Sequence, residues 1–251
     1  MSSAHILASH TAPPPPHWPD ASLFLDFDGT LVDLAPTPDA VVVDDALVAL
    51  LRRLGHALPG RVAIVSGRSL AQLDGFFGDA LGDLALAGSH GAELRLPGDT
   101  LDAPAADVPD GLDAATRALA AYARTNDLVF ERKTLGAGLH YRETPGAEDA
   151  ARAFAERVAH DHALTVQHGK MMVELRAPGD KGLAVDALMA TAAMAGTRPL
   201  VFGDDLTDED GFAAAAAHGG AGVLIGASRA TAAGFALPDV AALRRWLGAM
   251  A

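Results

Sequence analysis

Short, solid apolar runs recur along this chain, and each ends in small or acidic residues. Leu23-Phe24-Leu25 runs into Asp26-Phe27-Asp28-Gly29-Thr30, and residues 62–65 run into Ser66-Gly67-Arg68. Residues 84–87 lead to Gly88-Ser89-His90-Gly91, residues 200–202 to Gly203-Asp204-Asp205, and 223–225 form a fifth run. Apolar runs this short, closed by glycine turns, predict buried strands. Helical patterns lie between them: Asp44 and Asp45 open one with Leu47, Leu50, Leu51 and Leu54 in register, and 183–194 reads as another. Solid strands alternating with helices predict a parallel sheet covered on both faces, an α/β fold of Rossmann-like type.

The middle of the chain breaks this rhythm. Residues 97–109 are rich in Pro, Gly and Asp and read as a connection. A helix is expected near 110–126, strands near 128–133 and 138–142, a second helix aligning Ala150, Phe154 and Val158, and strands near 163–168 and 171–176. Hairpin-like strand pairs around two helices predict an inserted α+β unit, with Pro178-Gly179 as the return hinge. The expected organisation is a mobile tail over 1–19 with a polyproline stretch, a core of 20–103 and 178–251, and an insert over 104–177.

Composition narrows the partners. The 251 residues are half apolar, so a sizeable core is affordable. With 32 acids against 19 bases the net charge is −13, which argues against nucleic acid and anionic membranes. No apolar run approaches the ~18 residues of a membrane span. The first twenty residues lack the basic start and apolar centre of a signal peptide. Absence of cysteine excludes disulfides, thiolate catalysis and Cys-zinc sites, and fits a cytoplasmic protein. A monomer is expected.

The chemistry sits at the strand ends. Asp26 and Asp28 converge at the carboxyl end of the first strand, the crevice where open α/β sheets bind ligands. Two such like charges are unfavourable unless a cation or a positive side chain compensates them. Asp204 and Asp205 form a second acidic group. Thr207 with Asp210 reads as a capping-box start, which accounts for Asp208, Glu209 and Asp210 as first-turn acids. Four or more carboxylates at two strand ends suit a hard cation with oxygen ligands, most plausibly Mg2+. An anion is then the natural partner. Ser66 offers a hydroxyl and turn amides to phosphate oxygens, and Lys181 opens a helix where a lysine is slightly unfavourable for the dipole. The arrangement suits phosphoryl transfer through an aspartyl-phosphate, with Asp26 as nucleophile, Asp28 as acid and then base, and Lys181 and Ser66 holding charge and position.

Taken in order, Asp26-x-Asp28-Gly-Thr, Ser66, Lys181 and Gly203-Asp204-Asp205 resemble the four motifs of the haloacid dehalogenase superfamily. That resemblance implies Asp26, the Asp28 backbone carbonyl and Asp204 as Mg2+ ligands, Asp205 and Asp208 as supporting ones, and the insert as a cap. Further stretches are similar to the trehalose-6-phosphate phosphatase family. These are Pro36-x-Pro38, Ser66-Gly67-Arg68, Gly88-Ser89-His90-Gly91-Ala92-Glu93, Glu131-x-Lys133, His140-Tyr141-Arg142, Gly169-Lys170-x-x-x-Glu174 and Gly203-Asp204-Asp205-x-Thr207-Asp208. Membership would place Glu131, Lys133, His140, Lys170 and Glu174 on the disaccharide of trehalose 6-phosphate, with Gly67, Arg68, His90 and Arg142 as further candidates. The other readings are a phosphatase for a different sugar phosphate, a phosphomutase, and a non-catalytic sugar-phosphate-binding protein.

Overall fold

The computed structural model describes residues 11–14, 20–35, 37, 40–99, 110–169 and 171–250. In chain order the first core segment holds β1 (Ala21–Leu25), α1 (Asp45–Ala57), β2 (Val62–Val65), α2 (Leu70–Phe77), β3 (Ala85–Gly88) and β4 (Glu93–Arg95). The insert holds α3 (Leu112–Asn126), β5 (Val129–Lys133), β6 (Gly136–His140), α4 (Glu148–Asp161), β7 (Thr165–Gly169) and β8 (Met172–Arg176). The chain then returns with α5 (Lys181–Met189), β9 (Arg198–Gly203), α6 (Glu209–Ala217), β10 (Ala221–Ile225), β11 (Phe235–Leu237) and α7 (Val240–Gly248). Contacts divide the chain into two compact units, Met1–Ala103 with Asp180–Ala251, and Pro104–Gly179.

The core sheet has the order β11-β10-β9-β1-β2-β3-β4, parallel throughout except for β4, which pairs antiparallel with β3. Its strands read as solid apolar runs because both faces are covered. Leu23, Leu25, Val62, Ile64, Leu200 and Phe202 enter one core cluster with Leu47, Leu51, Leu54 and Leu243. The alternating residues Phe24, Ala63, Val65 and Val201 enter a second with Val185, Leu188 and Phe212. This is the period-2 side-chain alternation of a strand buried on both sides. The strand order reverses at β1: β2 and β3 lie to one side, β9 and β10 to the other. The carboxyl ends of β1 and β9 therefore meet at the switch point of the sheet, where α/β folds bind ligands.

The ends of the helices follow local chemistry. Asp44 caps α1 by accepting from Leu47 N, Ser69 with Gln72 forms a capping box on α2, and Asp180 caps α5 by accepting from Leu183 N. Helix α5 starts at Lys181 and stops at Met189, earlier at both ends than the apolar pattern of 183–194 suggests. Within the segment expected to be a mobile tail, the Thr11 carbonyl accepts from Ala236 N and the Pro14 carbonyl from the Trp246 indole.

The insert is an antiparallel sheet of order β5-β6-β8-β7. Helices α3 and α4 supply Ala115, Leu119, Ala151, Ala155 and Val158 against Ala137, Leu139, Val173 and Leu175 of the sheet, and these form its own core. The residues between them in sequence, among them Glu131, Lys133, His140, Gln167 and Glu174, lie on the opposite face by strand alternation. The fold is thus an α/β core built on a mostly parallel sheet, with an inserted α+β unit that has its own antiparallel sheet. Among the described residues no helix is long and apolar enough to cross a membrane.

Candidate active site

The centre of the site is Lys181, buried at the start of α5. Its ammonium donates to Asp26 Oδ1 at 2.7 Å and to Asp208 Oδ1 at 2.6 Å. The three side chains are 4%, 7% and 1% exposed, so each charge depends on the others for compensation. Burial alone would lower the Lys181 pKa; attraction to Asp26 and Asp208 and both hydrogen bonds override it and raise it. Burial pushes Asp26 up to about 8, against the pull of Lys181 and with the added repulsion of Asp208 and Asp204. Burial and the neighbouring Asp208 and Asp205 charges push Asp204 up to about 6. Burial likewise raises Asp208.

One ammonium does not balance this acid cluster. Oxygens of Asp26, Asp204 and Asp208 lie within 4.8 Å of one another, the one such group among the described residues. Hard oxygen donors at that spacing fit a divalent cation such as Mg2+. The backbone makes room for them. Gly29 has φ +79°, and a Cβ there would lie 2.2 Å from Asp204 Oδ2. A Cβ on Gly203 would lie 2.0 Å from the Asp208 carboxyl carbon. Thr30 also donates to Asp204 Oδ1 at 3.3 Å. A cleft of about 470 Å³ opens beside Asp204, lined in part by Gly29, Asp33, Leu34, Ser228 and Arg229.

Asp205 stands outside the trio. It is the N-cap of the turn 206–208 and forms the capping box with Asp208, accepting from Thr207 N and Oγ1, both at 2.7 Å. The expected box between Thr207 and Asp210 is therefore replaced by one two residues earlier. The physical reason is the short 3-10 turn before α6, which makes Asp205 the residue entering the turn and aims Asp208 inward. Burial works to raise Asp205, but the Thr207 hydrogen bonds and the Lys181 charge hold it below the usual carboxylate range.

Ser66 is buried directly after β2, and its Oγ accepts from Arg68 N at 3.1 Å. Asp28 does not join the acid trio through its side chain; Arg68 grips it. Gly67 and His90 meet across the neighbouring loop: a Cβ on Gly67 would lie 2.6 Å from His90 Nε2. His90 N donates to Ser66 O at 2.9 Å and Ser89 N to Arg68 O at 2.8 Å. Ser89 and His90 both have positive φ, 49° and 56°, a strained turn for residues with a Cβ.

In the insert, the sheet face opposite its helices carries one ion pair and one histidine–carboxylate hydrogen bond. Lys133 donates to Glu174, and His140 Nε2 pairs with Glu131 Oε2 at 2.8 Å. Register places Glu131 opposite Gly138 and Gly138 opposite Glu174, so one row crosses three strands. Gly138 leaves that row open: a Cβ there would come within 3.2 Å of Met172 Cε. Arg142 is exposed just beyond β6. Lys170 lies outside the described residues, as do Pro36 and Pro38.

The trehalose-phosphatase family model matches residues 24–241 of this chain. The chain belongs to the trehalose-phosphatase family. A trehalose-6-phosphate phosphatase of Escherichia coli (strain K12) is 38% identical over 229 residues, covering 89% of this chain and 84% of the relative. A probable trehalose-phosphate phosphatase of Sinorhizobium fredii (strain NBRC 101917 / NGR234) is 39% identical over 239 residues, covering 92% and 87%. Among solved structures, trehalose-6-phosphate phosphatase from Aspergillus fumigatus superposes with a TM-score of 0.69 at 25% identity, covering 93% of each chain.

In this member of the trehalose-phosphatase family, several supporting residues escape sequence reading. Glu93, almost wholly buried, accepts from Leu70 N at 3.0 Å and Ser89 Oγ at 2.8 Å, tying the His90 turn to α2. Arg229 donates to the Asp205 carbonyl at 2.5 Å and pairs with Glu209, which fastens the acidic loop to α6. Phe76 lies under Arg68. Glu93 closes the stretch Gly88-Ser89-His90-Gly91-Ala92-Glu93 but carried no role there, and Arg229 and Phe76 lie outside the strand-end motifs.

Proposed function

We propose that this trehalose-phosphatase family enzyme hydrolyses trehalose 6-phosphate to trehalose and phosphate through an aspartyl-phosphate on Asp26, with Mg2+ as cofactor. One observation carries the reading: Lys181 bridges Asp26 and Asp208 beside Asp204 at the switch point of the sheet. Held by Asp26, Asp204, Asp208 and the Asp28 backbone carbonyl, Mg2+ would supply charge neutralisation between the carboxylates and the phosphate.

The chain's own groups account for the rest. A carboxylate oxygen of Asp26 forms a bond to phosphorus as the bond to the sugar oxygen breaks. Asp28 gives that oxygen a proton, then removes one from the water that attacks the phosphorylated Asp26. Lys181 orients the nucleophile through the 2.7 Å hydrogen bond and offsets negative charge as phosphate approaches. Ser66, whose Oγ accepts from the Arg68 amide, holds the transferring group. Glu131, Lys133, His140, Lys170 and Glu174 of the cap would read sugar hydroxyls, with Gly67, His90 and Arg142 as further contacts. Carboxylates and amines suit hydroxyl recognition, and a pocket built for such bonds rejects analogues lacking them. We place the reaction in the cytoplasm, with the chain acting as a monomer.

The test is phosphate release from a panel of sugar phosphates, with and without Mg2+, by wild type and Asp26→Asn. Preference for trehalose 6-phosphate that requires Mg2+ and Asp26 is expected. Equal release across the panel would remove the substrate assignment.

A further inference from the structure

Arg68 lies two residues after Ser66 in the loop after β2, and the family resemblance makes it a candidate contact to substrate. Its guanidinium is engaged elsewhere. Nε donates to Asp28 Oδ2 at 2.7 Å and Nη2 to Asp28 Oδ1 at 2.8 Å, so one planar fork holds both carboxylate oxygens. The same group lies 4.9 Å from the Phe76 ring centre and 5.5 Å from that of Phe27. Its backbone is pinned as well, N to Ser66 Oγ and O to Ser89 N. A group clamped at the guanidinium, the flat face and the backbone fixes the carboxylate it grips.

We propose that Arg68 is a positioning residue for Asp28. It sets the carboxylate's orientation at the reacting centre and leaves free only the acceptor directions that point away from the fork. An ionised carboxylate offers about four such directions, and a bidentate arginine takes two. The proton exchanged with the sugar oxygen or water is then confined to the remaining side. This inference rests on the acid–base role given to Asp28 above.

Leaving-group dependence tests it. The oxygen of a sugar phosphate needs a proton to depart, whereas p-nitrophenolate leaves without one. Hydrolysis of phosphorylated Asp26 is common to both substrates, so the rate of leaving-group release in a single turnover is read: Asp28→Asn is expected to cost ~10² or more in that step with trehalose 6-phosphate and far less with p-nitrophenyl phosphate. Arg68→Met should follow the same pattern, losing ~10-fold or more on the sugar phosphate and less than ~3-fold on the aryl phosphate. Added to Asp28→Asn, it should cost no more than ~2-fold further, because its target is gone. Arg68→Lys, which keeps the charge but not the fork, should show the same selective loss in smaller degree and covers the case in which the methionine variant does not fold. Equal loss on both substrates for the Arg68 variants alone, or full additivity with Asp28→Asn, would overturn the inference and leave Asp28's role intact. Equal loss in that first step for Asp28→Asn would instead remove the acid role, and the inference with it.

Discussion

Lys181 Nζ lies 2.7 Å from Asp26 and 2.6 Å from Asp208, so one buried ammonium joins the residue after β1 to the turn between β9 and α6. Removing it leaves buried carboxylates without their partner. Lys181→Ala should therefore lower stability by ~3–5 kcal/mol in the absence of divalent cation, read by urea unfolding. Activity should fall ~10²–10³-fold, because charge near the phosphate is no longer offset.

The same imbalance predicts a ligand effect that needs no turnover. Mg2+ should raise the unfolding midpoint, adding about 2.7 kcal/mol at a hundredfold excess over its dissociation constant, and chelator should reverse the gain. Asp204→Asn should abolish most of that shift. Gly29→Ala should weaken it too, since its Cβ would fall 2.2 Å from Asp204 Oδ2 and push the carboxylate out of the trio. Calorimetric titration of Mg2+ into the three proteins distinguishes these outcomes.

Much of this was legible in the sequence, and the reason is physical. Strands buried on both faces leave unbroken apolar runs, and Asp26, Ser66 and Asp204 follow directly at or just past their ends. What was not legible depends on contacts distant in the chain or on a rotation of one turn. Asp28 and Arg68 are 40 positions apart, so their fork cannot be read from spacing. Asp205 and Asp208 are indistinguishable as letters. A 3-10 turn aims Asp208 at Lys181 and Asp205 back at Thr207. The antiparallel edge strand β4 is only three residues long, too short to carry a pattern.

The cap face makes a separate prediction. Glu174→Gln should remove the charge partner of Lys133 and raise KM for trehalose 6-phosphate ~10-fold or more, while p-nitrophenyl phosphate turnover stays within ~3-fold. Steady-state kinetics on both substrates check it. A parallel loss on both would mean that the pair serves the cap's fold and not sugar recognition.

At the start of α1, Asp44 offers a pH-dependent control. Its hydrogen bond with Arg244 and its cap bond from Leu47 N hold its pKa below the usual 3.8. A depressed carboxyl contributes stability above that value and loses it as pH falls through the lower folded one. Asp44→Ala should cost about 1 kcal/mol near neutral pH, mostly as a lost N-cap, and the difference from wild type should shrink below about pH 4. Denaturant midpoints for the pair at both pH values give the result.

The central claim is covalent chemistry on Asp26. Borohydride reduces an acyl phosphate to the alcohol, so quenching the enzyme with it during turnover of trehalose 6-phosphate and Mg2+ should convert residue 26 to homoserine, found by peptide mass spectrometry. Homoserine at position 26, absent without substrate, is the predicted result. Phosphate release with residue 26 unreduced, or reduction at another carboxylate, would contradict the account.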